Sequence, residues 1–165
     1  NVDIPSSVTS IGYACFSGCT SLEAIAIPSS VTSIEGCIFK NCSNLKDVSL
    51  PSTLSTITYE SFSGCSSLER IVIPSSITNL SNEAFKGCTK LSHIEFPSSI
   101  TSIGVSCFSN CVSLTSLEFP SSFTIFGSRC FENCTNLENL VIPASVENLG
   151  QGRGHLKKRV YSLLQ

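Results

Sequence analysis

No methionine and no tryptophan occur in this chain, and its only histidines are His93 and His155. With so few imidazoles, general-base chemistry and nitrogen-ligated metals have little to build on. Charged residues make up only 13% of the chain and the net charge is −2. A nucleic-acid surface is normally strongly basic, so no nucleic-acid partner is expected. No apolar run approaches the length of a bilayer-crossing helix, so no membrane span is expected. Asn1 opens no signal-peptide pattern. The chain starts within an Ile4–Pro5 element, which reads as a piece of, or a mature segment from, a longer protein.

What is present is periodic. The seven prolines are Pro5, Pro28, Pro51, Pro74, Pro97, Pro120 and Pro143, and every interval is 23 residues. With proline as position 1, position 12 is Phe in six whole units: Phe16, Phe39, Phe62, Phe85, Phe108 and Phe131. Position 15 is Cys in all six (Cys19, Cys42, Cys65, Cys88, Cys111, Cys134), and position 18 is Leu. Positions 4, 7, 21 and 23 are apolar throughout, as at Val8, Ile11, Ile25 and Ile27. A single closed core has no need of such regularity. A stack of coils does, because each inward side chain meets its own copy above and below.

Ten cysteines raise the question of disulfides. Six of them share one repeat position among inward Phe and Leu, where a free thiol behaves as a small hydrophobe. Coils in a stack lie about 4.8 Å apart, but their Cβ vectors run parallel, a poor match to the disulfide dihedral. Buried free thiols are therefore expected. Cys15, Cys107 and Cys130 precede the column cysteine by four residues, and Cys37 precedes Cys42 by five. Ile38, Ser61 and Ala84 occupy the position of the first three, and no histidine is near, so these read as core filler. No metal and no cofactor is expected.

Positions 18–23, as in Leu68-Glu-Arg-Ile71-Val-Ile73, alternate like a strand with one buried side. The following proline cannot donate a hydrogen bond and ends it. Positions 9–13, such as Tyr59-Glu-Ser-Phe62-Ser, are expected to form a short helical turn that buries Phe. Position 14 is always Gly or Asn (Gly18, Asn41, Gly64, Gly87, Asn110, Asn133), as a left-handed residue ending that turn requires. The sequons at Asn41, Asn79 and Asn133 are read as incidental to that conformational preference. Stacking places six parallel strands on the concave side of a right-handed coil.

The unit Leu-x-x-Ile-x-Ile-Pro-Ser-Ser-Val-Thr-Ser-Ile, with its Phe and Cys, closely resembles the BspA-like leucine-rich repeats of bacterial and protozoan surface proteins. The resemblance covers residues 1–150 and implies an α/β repeat: a right-handed solenoid with a parallel concave β-sheet and short helical turns opposite. It also implies a cell-surface or secreted location and adhesion to host extracellular proteins or other cells.

No catalytic residue is expected. His93, at position 20, has Ser116 one coil away, but Asp47 is two coils off, about 10 Å. Glu95 and Glu118 are the carboxylates within reach of His93, yet no oxyanion hole or pocket is implied. Gly150-Gln-Gly152-Arg-Gly154 fails the dinucleotide pattern, because residue 155 is His and no βαβ unit follows.

Recognition is expected at positions 19, 20 and 22 of the concave face, which vary while their neighbours are fixed. The candidate ligand-binding residues are Glu23, Asp47, Glu69, Arg70, Val72, His93, Glu95, Ser116, Glu118 and Glu138. None is aromatic, so modest affinity per unit is expected, multiplied by repetition. The function expected is a protein-binding module. The alternative is a structural protein that self-associates end to end through exposed solenoid edges. Residues 151–165 leave the repeat. Leu156, Val160, Leu163 and Leu164 lie on one helical face, which points to a C-terminal cap; a degenerate seventh strand over 160–165 and a basic tail are the competing readings.

Overall fold

The structure is a computed structural model and describes residues 2–150. The cap expected over 151–165 lies outside the described residues. Eleven short strands occur in the described chain: β1 (Ser10–Ile11), β2 (Ala24–Ala26), β3 (Ser33–Ile34), β4 (Asp47–Ser49), β5 (Arg70–Val72), β6 (Asn79–Leu80), β7 (His93–Glu95), β8 (Ser102–Ile103), β9 (Ser116–Glu118), β10 (Ile125–Phe126) and β11 (Asn139–Val141). The three-residue strands carry positions 20–22 and make a front wall; the two-residue strands carry positions 6–7 and make a back wall. Every pairing is parallel and offset by one repeat, as in Arg70↔His93 and Leu80↔Ile103. The chain therefore winds as a β-solenoid with one repeat per coil.

The expected helical turns are absent: none of the described residues forms a helix. The reason lies in where the backbone donors go. The N–H groups of Glu83, Phe85 and Gly87 donate to the carbonyls of Val105, Cys107 and Ser109 on the next coil, at 2.9, 2.9 and 2.8 Å. An α-helix would turn those donors onto its own carbonyls four residues back. Alternate donors close β-turns instead, as Lys86 does to Glu83 and Cys88 to Phe85. Two left-handed residues per coil make this path possible. Position 14 is one, with φ of 73° at Gly87 and 61° at Asn41. Position 10 is the other: Ala14, Cys37, Glu60, Glu83, Ser106 and Arg129 have φ of 52–60°. Their composition carries no warning of it. Each costs roughly 1–2 kcal/mol, offset by the bonds between coils.

Inside the coil the Phe column stacks. Phe62 and Phe85 have ring centroids 5.2 Å apart and planes 2° from parallel, and Phe85–Phe108 follows at 5.5 Å. Thiols run beside the rings. The Sγ of Cys65, Cys88, Cys111 and Cys134 each donate to a Phe carbonyl of the preceding coil, at 3.1, 3.1, 3.1 and 3.0 Å. Burial of the thiol column holds from Cys42 to Cys134 but fails at Cys19, which is exposed with Cys15 in the first coil. Position 3 has its own column: the hydroxyls of Thr53, Ser99, Ser122 and Ser145 donate to the position-4 carbonyl one coil back. The equivalent hydroxyls of Ser30 and Ser76 are buried without a hydrogen-bond partner, so the column is not continuous.

Candidate binding surface

Period-two alternation decides which front-wall side chains meet solvent. In β5 and β9 the middle residue is buried and the two outer ones are exposed. The expected recognition residues at positions 20 and 22, Asp47, Arg70, Val72, His93, Glu95, Ser116 and Glu118, are accordingly exposed on this wall, and Glu23, Glu69 and Glu138, at position 19 just ahead of each strand, are exposed as well. The structure thus brings them to one surface.

It also shows which of them are already engaged. Lys46 pairs with Glu23 at 3.2 Å, and Arg70 with Glu95 at 3.7 Å. His93 Nε2 lies 3.2 Å from Glu95 Oε1, so Glu95 and not Glu118 is the carboxylate that reaches the imidazole. Among the described residues no hydrogen bond joins His93 to Ser116, and no three potential ligand side chains gather as a metal set. These pairs are solvent-exposed and hold side chains in place more than they stabilise the fold.

The front wall is not one continuous sheet. Its strands pair as β2–β4, β5–β7 and β9–β11, leaving β4 beside β5, and β7 beside β9, without a ladder. Between β7 and β9 lies an open groove of about 610 Å³, lined among others by His93, Glu95, Phe96, Ser116, Glu118, Phe119 and Val141. Phe96, only partly buried, stacks on Phe119 with ring centroids 4.6 Å apart. Both occupy position 23, where four other units have Ile or Leu. Phe119 also packs against Phe123 and Phe126 at 4.4 and 5.0 Å. These rings stand in columns otherwise filled by aliphatics. The same loss of pairing occurs between β4 and β5, where Leu50 and Ile73 hold position 23. Sequence reasoning missed Phe96 and Phe119 because position 23 points inward; two successive phenylalanines in an aliphatic column were the available signal.

No helix of the described residues is long and apolar enough to cross a membrane. The burial of the thiols fixes their chemistry as well. Loss of water pushes Cys42 up to about 11 and Cys130 and Cys134 up to about 12, and Cys88 well above the ordinary range. These groups stay protonated and act as weak donors, not nucleophiles.

Comparison with known proteins agrees with this geometry. The family model for the BspA type leucine-rich repeat region matches in six copies, over residues 1–85 and 60–153. A leucine-rich repeat protein from Eubacterium ventriosum is 36% identical with a TM-score of 0.75, over 81% of this chain and 36% of that one. One from Bacteroides ovatus is 33% identical with a TM-score of 0.67, over 87% of this chain and 43% of that one. A leucine rich cell surface protein from Faecalibacterium prausnitzii is 27% identical with a TM-score of 0.61, over 93% and 54%. The chain thus spans about half or less of the length of these solved structures. A search of curated proteins gives no match. By its six repeat matches and its coil geometry, the chain belongs to the BspA-type leucine-rich-repeat family.

Proposed function

We propose that this chain is a protein-binding module of a cell-surface adhesin, and that its front wall contacts a host extracellular protein or a protein on another cell. The observation that carries the reading is the division of labour within each repeat. Positions 4, 7, 12, 15, 18, 21 and 23 are held constant in character by packing, whereas positions 19, 20 and 22 are exposed on one wall and differ from coil to coil. A rigid frame with a varied exposed strip is how a repeat protein presents recognition chemistry. Ion pairs such as Arg70–Glu95 hold part of that strip in place, which lowers the ordering cost of binding. The family is generally a binding scaffold, and a surface location is supported by the cell-surface neighbour from Faecalibacterium prausnitzii.

The test is binding of the 165-residue chain to purified extracellular-matrix and serum proteins immobilised as a panel. Binding that weakens on charge reversal at Arg70, Glu95 or Glu118 supports the reading. A ligand whose affinity ignores all three reversals moves the site off this wall.

A further inference from the structure

The groove between β7 and β9 combines features that no other part of the front wall shows together. Its floor is aromatic: Phe96 is partly exposed above its stack with Phe119. One margin carries Val141, 54% exposed. The rim is acidic, with Glu95 and Glu118 on neighbouring coils, and none of the lining residues is Lys or Arg. Arg70 already reaches Glu95, whereas among the described residues no ion pair forms to Glu118, which shares the lining with His93. Above the floor, the facing edges of β7 and β9 are not laddered to each other.

We propose that this groove is the anchoring point of the binding face, and that it takes a short protein segment bearing one bulky apolar side chain beside a lysine or arginine. The proposal rests on the front wall being the binding face. Apolar area buried over Phe96 and Val141 supplies the attraction, and a buried aromatic or aliphatic anchor at the centre of a polar rim is the usual form of an interface hot spot. Charge complementarity sets the neighbour: a cation beside the anchor meets Glu118, while an anion there would face two carboxylates. An open groove of about 610 Å³ has room for a segment of several residues. The acidic rim also makes the interaction salt-sensitive.

The experiment uses the labelled 165-residue chain on a hexapeptide array in which a central residue and its two neighbours run through all side-chain types. The strongest capture is expected where Phe, Leu, Ile or Tyr sits beside Lys or Arg, at least about tenfold above the same peptide with Glu in the charged place or Ala in the apolar one. Ser116→Arg, which adds bulk and positive charge at the exposed centre of the groove, should weaken that capture at least about tenfold without shifting the melting temperature. Asp47→Lys, far along the wall, should change it less than about twofold. No preference for the apolar–basic pair overturns the proposal, as does capture that survives Ser116→Arg. If Asp47→Lys abolishes capture and Ser116→Arg does not, the groove falls and the front-wall reading stands. If neither substitution matters, both fall.

Discussion

The Sγ of Cys88 donates to the carbonyl oxygen of Phe62 at 3.1 Å, across two successive coils. The same carbonyl accepts the backbone N–H of Cys65 within its own coil, so one oxygen serves both the turn that shapes a coil and the bond that joins it to the next. This gives the cysteine column a role beyond filling space. Serine in its place would bury a more polar hydroxyl, and alanine would leave a void and no donor.

Loss of that thiol should be felt without unfolding the chain. Cys88→Ala is expected to cost about 1–3 kcal/mol, from a weak hydrogen bond and a small cavity, read as a lower denaturation midpoint in urea. An unchanged midpoint would show that the thiol column contributes nothing.

Thiol reactivity should divide along the chain. Cys15 and Cys19 are exposed and should react quickly with a mild disulfide reagent in the native state, while Cys65, Cys88, Cys111 and Cys134 should react only after denaturation. Mapping the modified peptides by mass spectrometry checks this. Rapid labelling of Cys88 in the folded protein contradicts the burial described here.

Stability should fall on the alkaline side. Burial raises the folded-state pKa of Cys42, Cys65, Cys88, Cys111 and Cys134 above the ordinary thiol value. An unfolded thiol ionises near about 8.5. Below that pH both states hold the proton and stability is unaffected. Above it the unfolded chain releases protons that the folded chain keeps, and each buried thiol costs up to about 1.4 kcal/mol per pH unit. Urea midpoints are expected to be flat from about pH 7 to 8 and to drop steeply above about pH 9; a flat profile to about pH 10 argues against buried protonated thiols.

Removing one ring from the middle of the Phe column should be severe. Phe62 is fully buried between Phe39 and Phe85, at 5.4 and 5.2 Å. Phe62→Ala is expected to cost about 3–5 kcal/mol through the cavity it leaves. By contrast Arg70→Glu, on an exposed pair, should stay within about 0.5 kcal/mol. Thermal unfolding of the two variants side by side tests the ranking.

Gly87 isolates the effect of backbone conformation, because its φ is +73° and nothing closer than 3.8 Å would meet an added Cβ. Gly87→Ala is expected to cost about 1–2 kcal/mol through the left-handed backbone alone. Gly87→Asn should cost less, since Asn41, Asn110 and Asn133 hold the same conformation at the same position. Equal losses for the two variants would mean that space, not φ, restricts this position.

The repeat itself was legible from residues alone. A proline every 23 positions marked where strands end, the Phe, Cys and Leu columns marked what faces inward, and Gly or Asn at position 14 marked a left-handed turn. Alternation at positions 20–22 placed Glu95, Ser116, Glu118 and the other candidates at positions 20 and 22 on the solvent side. These conclusions need only local rules, since proline's missing donor, glycine's freedom and a strand's period of two act within a few residues.

What required the tertiary structure were the choices made between coils. Residues 83–87 could close helical bonds within themselves or send their donors to residues 105–109, and only the presence of the next coil at bonding distance selects the second. The left-handed backbone at Glu83 and Arg129 follows from that selection and not from their side chains. Arg70 faces Glu95 rather than an acid nearer in sequence because the coils bring position 20 of one beside position 22 of the next. The groove over Phe96 and Phe119 likewise depends on how neighbouring coils meet, since its lining comes from successive coils and β7 and β9 share no ladder. A one-dimensional pattern states which way each side chain points; the separation of neighbouring coils, which packing sets, decides what it meets there.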